Sequence, residues 1–339
     1  MRKKLKLVSL IILLTGLYAA WEVFGPTASP PENNYFYIHT GSTYDQVKSA
    51  LKEQKILSRT FFFNIIARQV KYNRNIRPGR YEITRGMSVL NLVRMLKSGR
   101  QSPVRLVINK IRTREDFAGK IGQQFEVDSL TMIRFISNND SLKKYNVDTN
   151  TMMTLVIPNS YLFRWNSSVS GILFRFADEK EKFWDGKRSA KAAALNLTPE
   201  QVYTIASIVE EETTKQEDKG LIASVYMNRL NKGMKLEADP TVKFAMRDFG
   251  LKRILHGHLQ FPSAYNTYRN TGLPPGPIAT PSTKTIDAVL DAPETDYIFF
   301  VAKPDFNGYS NFASTYQEHL VYAKAYQRAL DSLILSRNK

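Results

Sequence analysis

The sequence predicts an α+β protein in three parts: an N-terminal transmembrane helix, a small α/β module and a larger α+β domain. Three observations carry that prediction. An apolar run fills residues 7–24 behind the basic stretch RKKLK. Short alternating strands interleave with helical stretches over residues 35–102. A longer, mostly helical region starts at 103 and is interrupted at 261–282 by a Gly- and Pro-rich segment. With 339 residues the chain can hold two or three self-sufficient cores. Its 43% hydrophobic and 12% aromatic content is that of a folded protein.

The elements follow in order. Residues 1–6 form a basic tail and 7–24, LVSLIILLTGLYAAWEVF, a single-pass anchor near the lower length limit for spanning a bilayer. Basic residues stay on the cytoplasmic side, so the rest of the chain is exported, with Trp21 as an interface anchor. A cleaved signal peptide is the alternative; Tyr18-Ala19-Ala20 is a poor cleavage site, and there is no cysteine for lipid attachment. Residues 25–34 are a Pro-rich linker off the membrane.

In 35–102, YFYIHT is a strand. Ser42 is placed as the N-cap of a helix carrying Val47, Ala50 and Leu51. A second helix covers 60–70, GRYEIT is a returning strand, and a helix from Ser88 stops at Gly99. This order resembles the LysM-like module of cell-wall proteins; a generic α+β packing domain satisfies the same pattern.

From 103 to 339 the chain opens on a strand, PVRLVI, and Thr113 with Asp116 forms a capping-box variant. Residues 170–197 are charged and helical. Thr198-Pro199-Glu200-Gln201 opens a helix, with threonine as cap, proline at the first position and glutamine closing the box. A helix from 220 ends at Gly233, and Asp239-Pro240-Thr241 is a turn or helix start. FPSAYNTYRNTGLPPGPIATPS, 261–282, is too rich in breakers for regular structure; it is a long shaped loop of the kind that carries function, or one that packs on itself. Residues 320–335 are an amphipathic helix presenting Leu320, Ala323, Tyr326, Leu330 and Leu333.

The net charge of +17 suits a polyanion: nucleic acid, anionic lipid or an acidic wall polymer. Export argues against nucleic acid. With no cysteine there is no disulfide framework, thiol nucleophile or cysteine metal site. His256-Gly257-His258 has a strand-like ligand spacing, but the chain holds four histidines and no HExxH, so no metal or cofactor is expected.

The sharpest local signal is ASIVEEETTKQ, 206–216. Val202, Ile205, Ile208 and Val209 define a buried stripe, and Glu212 continues it. Glu210 falls with Ala206 and Ser207 on a small, polar face, and Glu211 lies at the border. An acid on an apolar stripe is paired, or is kept protonated for use, because burial raises its pKa. Alternatively the helix ends before 212 and all three glutamates stand in water.

Together with LIASVYMNRL, GMKLEADPTVKFA, AYNTY, GLPPGPIATP, YIFFVA and FNGYSNFASTYQEH, the stretch IASIVEEET resembles the MltG-type (YceG-like) endolytic murein transglycosylases, densely over residues 198–319 and in family order. The resemblance implies a membrane-anchored enzyme whose YceG-like catalytic domain cuts nascent peptidoglycan glycan inside the strand, leaving 1,6-anhydro ends, beside penicillin-binding proteins. It makes Glu212, followed by Thr213, the catalytic acid. The middle residue, Glu211, varies in such proteins and is expected to face solvent. Tyr265, Asn266, Thr267 and Tyr268 are the candidate sugar subsites. Asn228, Arg229, Asp239, Thr241 and Glu210 are further substrate-binding candidates, with helix capping the competing role for Asp239. Where the family commonly has Pro-Asp-Thr-Tyr, this chain has Pro158-Asn159-Ser160-Tyr161, which removes a charge. A catalytically silent wall-binding scaffold is the other reading.

Overall fold

A computed structural model describes residues 2–337. Helix α1 (Arg2–Phe24) carries the apolar run, has a mean hydropathy of 2.0 over 18 residues and is exposed along nearly its whole length. Strand β1 (Tyr35–Ile38), helices α2 (Tyr44–Glu53) and α3 (Phe61–Gln69), strand β2 (Gly79–Glu82) and helix α4 (Val89–Ser98) follow. Next come β3 (Val104–Val107), α5 (Arg114–Gln124), α6 (Ser129–Ile136), α7 (Asn139–Leu142), β4 (Ser160–Phe163), α8 (Val169–Phe183) and α9 (Gly186–Ala194). The chain finishes with α10 (Pro199–Glu212), α11 (Gln216–Asn231), α12 (Asp239–Met246), α13 (Thr283–Leu290), β5 (Phe299–Ala302), β6 (Ser310–Ala313) and α14 (Tyr316–Arg337). The class is mixed α+β, mostly helical, with three two-stranded sheets among the described residues.

Two compact units result. The first holds the chain up to Leu106 with 124–127 and 162–168; the second holds the remainder. In the first, β1 and β2 pair antiparallel with Phe36 opposite Tyr81. Alternation turns Phe36, Ile38 and Tyr81 onto a core completed by Leu51, Phe63, Tyr72, Leu92 and Leu96. The order strand, helix, helix, strand, helix is as the sequence predicts. Helix α2 starts one residue later than expected, because Thr43 and not Ser42 is its cap. Gln46 at the third position returns a bond of 2.8 Å to the Thr43 N–H, which Ser42 is out of register to receive. Ser88 caps α4, and Gly99 ends it at φ 68°, a left-handed position that glycine takes without strain.

The second unit is organised around α10. Thr198 and Gln201 form the predicted capping box, and Thr113 with Asp116 exchange the expected pair of bonds ahead of α5. Residues Val202 to Val209 are all buried, so α10 is enclosed on every side and not along one stripe. Helices α9, α11, α12 and α13 surround it. The supposed polar face is interior too: Ser207 Oγ donates to Thr204 O at 2.7 Å and accepts the Ile278 N–H at 3.0 Å, pinning the 261–282 segment to the helix. That segment has no helix or strand, as its composition predicts. The final helix starts at Tyr316 rather than 320 and rests on β5 and β6, with His319 stacked 5.1 Å from Phe299.

Gly276 shows how tightly the loop is seated. A Cβ there would collide with the Asn150 carbonyl and crowd the Tyr265 hydroxyl at 3.3 Å. Backbone cannot yield as a flexible side chain does. Gly276→Ala is therefore expected to cost about 1–3 kcal/mol, read as a lowered midpoint in denaturant unfolding.

Candidate active site

The three successive glutamates close α10, and each meets different partners. Glu210 accepts from Lys219 of α11 at 3.0 Å, from Ser282 Oγ at 3.1 Å and from Thr285. Ser282 is the N-cap of α13, so the carboxylate sits where that helix exposes unpaired N–H groups and the positive end of its dipole. Burial alone would push the Glu210 carboxyl up. Hydrogen bonds from Thr285 and Lys219, with the Lys219 charge, outweigh burial and hold it below the ordinary value. Lys219 is itself 6% exposed.

Glu211 is not in open solvent, as the resemblance implied. It is half-buried and bridged by Lys110 at 2.8 Å and by Arg112 through two bonds of 3.1 Å. Burial again pushes its carboxyl up, and the two cations more than reverse the effect. The Arg112 guanidinium also lies 5.0 Å from the Phe249 ring, and both line a cavity of about 70 Å³ with Lys243 and Phe244.

Glu212 has no such cation bonded to it. It is the last residue of α10, and Thr213 then turns extended, at φ −145° and ψ 147°. The helix therefore runs through 212, which removes the alternative in which all three glutamates stand in water. The C-terminal end of a helix carries negative partial charge, a poor place for an anion. Glu212 keeps some surface, yet enough protein surrounds it that burial is the largest influence on its carboxyl. The Tyr226 hydroxyl donates to Oε1 at 2.6 Å and opposes burial; Asp239 and Glu211 add to it, and Lys243 opposes. The balance lifts the carboxyl to about 7. Such a group is half-protonated near neutrality, which suits it to both give and take a proton. The like-charge contributions to Glu212 come from Asp239 and Glu211; Glu210 is turned to α13 and neutralised there.

The remaining sequence candidates divide by what their polar atoms already do. Asp239 is exposed at the start of α12 and makes no capping bond; its Oδ1 accepts from the Tyr268 hydroxyl at 2.7 Å. Burial, then the bond to Asp239, holds that phenol well above its usual range. Tyr265 is half-buried with its ring 4.7 Å from Phe244. Asp239, Tyr265 and Tyr268 retain surface that a ligand can reach.

The others are spent on the protein. Asn266 is fully buried and donates to the carbonyls of Leu259 and Phe261, both at 2.9 Å. Thr267 accepts the Ala238 N–H at 3.0 Å and meets Thr241 Oγ1 at 2.8 Å, which fastens the loop to the start of α12. Asn228 donates to the Thr295 and Tyr297 carbonyls, at 2.8 and 2.9 Å. Arg229, 7% exposed, binds the carbonyls of Ile298, Lys235 and Leu236 and the Glu237 carboxylate. These contacts commit polar atoms of Asn266, Thr267, Thr241, Asn228 and Arg229 to the protein's own framework. Asn159 accepts the neighbouring Ser160 N–H at 2.7 Å and, with Lys110, Glu210 and Ser282, borders a cavity of about 420 Å³. His256 and His258 lie in one short 3₁₀ turn, where His258 Nδ1 accepts the Leu255 N–H at 3.2 Å, so the strand-like spacing read from sequence is not realised.

Tyr226 was not singled out from sequence. It sits in the apolar stripe of α11, and a buried hydroxyl on such a stripe needs an acceptor; that was the available signal. Tyr226→Phe removes a donor to the charged form of Glu212. A bond to a charged group is worth about 1.5–3 kcal/mol, so the Glu212 pKa is expected to rise by about one unit or more. Carboxyl-carbon NMR titration of labelled protein reads this directly.

The enclosed helix α10 thus ends on a carboxyl lifted towards neutrality, with its two preceding glutamates paired to cations, an arrangement suited to acid–base chemistry. The chain belongs to the YceG-like family, whose model matches residues 36–325. It is 28% identical over 320 residues to an endolytic murein transglycosylase of Bacillus subtilis (strain 168), covering 89% of this chain and 85% of the relative. It is 26% identical over 352 residues to an endolytic murein transglycosylase of Streptococcus pneumoniae D39, covering 92% of this chain but 63% of that longer protein. The crystal structure of a yceG-like protein, lmo1499, from Listeria monocytogenes aligns over 85% of this chain and 98% of its own, with 26% identity and a TM-score of 0.56.

Proposed function

We propose that this protein is a membrane-anchored endolytic peptidoglycan lytic transglycosylase acting through Glu212. The observation that carries the reading is the Glu212 carboxyl at about 7, hydrogen-bonded by Tyr226 in a YceG-like framework. Protonated Glu212 gives its proton to the glycosidic oxygen between N-acetylmuramic acid and N-acetylglucosamine. That C–O bond breaks with its electron pair leaving on oxygen, and positive charge develops on the muramyl ring. Ionised Glu212 then takes the proton of the ring's own 6-hydroxyl as that oxygen bonds to C1, closing a 1,6-anhydro ring. One carboxyl acts as acid and then base, and no water is consumed. Exposed Asp239 faces the same centre electrostatically and suits stabilisation of the cationic ring; Tyr265 and Tyr268 offer the aromatic surface for sugars.

Helix α1 serves as a retained anchor with RKKLK in the cytoplasm and both compact units outside. Residues 35–102 act as a LysM-like module for glycan, and synthases of the penicillin-binding class are the expected neighbours.

The test is digestion of purified peptidoglycan by the full chain in detergent, with mass spectrometry of the new ends. Anhydromuramyl ends support the assignment. Reducing ends would mean that water is the acceptor, which makes the enzyme a hydrolase with Asp239 as the first second carboxylate to examine. Retained glycan binding with no new ends would favour a silent scaffold.

A further inference from the structure

The outward face of α3 is inverted relative to an ordinary surface helix. Its inner side, Phe63, Ile66 and Ala67, belongs to the core of the first unit. Its outer side carries Phe61, 66% exposed, and Ile65, 45% exposed, one turn apart, with Arg68 beyond them. The surrounding sequence is strongly basic: residues 35–106 hold fourteen Lys and Arg against three Asp and Glu, which places +11 of the chain's +17 in this stretch.

The position of this face relative to α1 is fixed by contacts within the unit. Arg59, just ahead of α3, reaches the Tyr18 hydroxyl of α1, and its guanidinium lies 6.0 Å from the Tyr18 ring centroid. The exit of α1 is stiffened by Thr27 Oγ1 donating to Glu22 O at 3.1 Å and by Val23 packing on the core. Tyr18 precedes the end of α1 by six residues, or ~9 Å along the axis at 1.5 Å per residue. The start of α3 thus lies beside the last turns of α1 and not above them. The headgroup layer is ~5–7 Å deep on each side of the hydrocarbon, so with the end of α1 at its outer edge Tyr18 lies just below the layer and the backbone of Arg59, whose long side chain reaches to Tyr18, lies within it. Phe61 is two residues from Arg59, within ~7 Å of it.

We propose that α3 lies in the outer headgroup layer of the membrane that α1 crosses, with Phe61 and Ile65 inserted among the lipids and the neighbouring cations on anionic phosphates. This rests on the reading of α1 as a retained anchor. Apolar residues at a helix surface, flanked by cations and held at headgroup depth, are what an interfacial helix requires. The same contacts would hold the first unit down on the bilayer.

The chain has no cysteine, so single-cysteine variants label at one place. Phe61→Cys, Ile65→Cys, Trp21→Cys and Asp45→Cys are each labelled with an environment-sensitive fluorophore. The full chain is reconstituted in phosphatidylcholine–phosphatidylglycerol vesicles containing headgroup-level nitroxide lipid. Asp45, with 82% of its side chain exposed on α2, controls for the label's own affinity for lipid. The expected result is quenching at 61 and 65 at least about twofold that at 45, together with quenching at 21. Quenching at 21 with 61 and 65 no different from 45 overturns the proposal and leaves the anchor standing; a protein partner covering α3 would give this result. No quenching at 21 removes the anchor and the proposal with it. Agreement between 61 and 65 guards against misfolding of either variant.

Discussion

Glu212→Gln is expected to lower the release of peptidoglycan fragments by about 10³-fold or more, since one group supplies both proton transfers and each positioned acid or base contributes about 10²–10⁴-fold. A 10³-fold loss corresponds to about 4 kcal/mol of transition-state stabilisation. The same substitution should make the protein more stable at alkaline pH. The folded-state value of about 7 lies above the ordinary carboxyl value. Between those two values the folded chain holds a proton that the unfolded chain has released. Stability is therefore fully present below the unfolded value and falls as pH rises through about 7. Glutamine has no such titration. Thermal melts should find the variant more stable than the parent at pH 8, by on the order of 2 kcal/mol, and near parity at pH 4. A variant equally inactive but no more stable at pH 8 would mean that Glu212 is not strained by burial, and the acid–base assignment would lose its physical basis.

The largest stability effect is expected at Lys219. Lys219→Met leaves the Glu210 carboxylate beside Ser282 and Thr285 with its bonded cation gone, in a setting where burial already disfavours the charge. Breaking one side of a buried pair typically costs about 3–5 kcal/mol, whereas removing both partners costs far less. Lys219→Met should thus unfold at markedly lower denaturant, and Glu210→Gln with Lys219→Met should recover most of the loss. Glu210 is held below its ordinary value, so its contribution is present above the unfolded value and is lost as pH falls through the folded one. The Lys219→Met deficit should shrink in acid accordingly.

Helix starts were legible because capping is local: Thr198 with Gln201 and Thr113 with Asp116 each need four consecutive residues. Glu212 was legible because the apolar period of α10 reaches it. The surroundings of Glu210 and Glu211 were not, since their partners come from residues far along the chain: Lys110, Arg112, Ser282 and Thr285. No local pattern announces such a pairing. For the same reason Asn266 and Arg229 read as ligand-facing from their chemistry, while the fold had committed them to carbonyls of neighbouring segments. A polar side chain in a functional stretch can hold the loop rather than the ligand, and a sequence does not separate the two.

Each step along an α-helix turns about 100°, so Glu210, Glu211 and Glu212 point into three different sectors. Each sector already has its own receptor: the start of α13, the Lys110–Arg112 fork, and Tyr226. The end of α10 therefore behaves like a three-pin plug. Deleting one residue within the helix would carry Thr213 to the place of Glu212, opposite Tyr226, and inserting one would carry Val209 to the place of Glu210, against Lys219 and Ser282. Variation at this place is open to substitution and closed to changes in length.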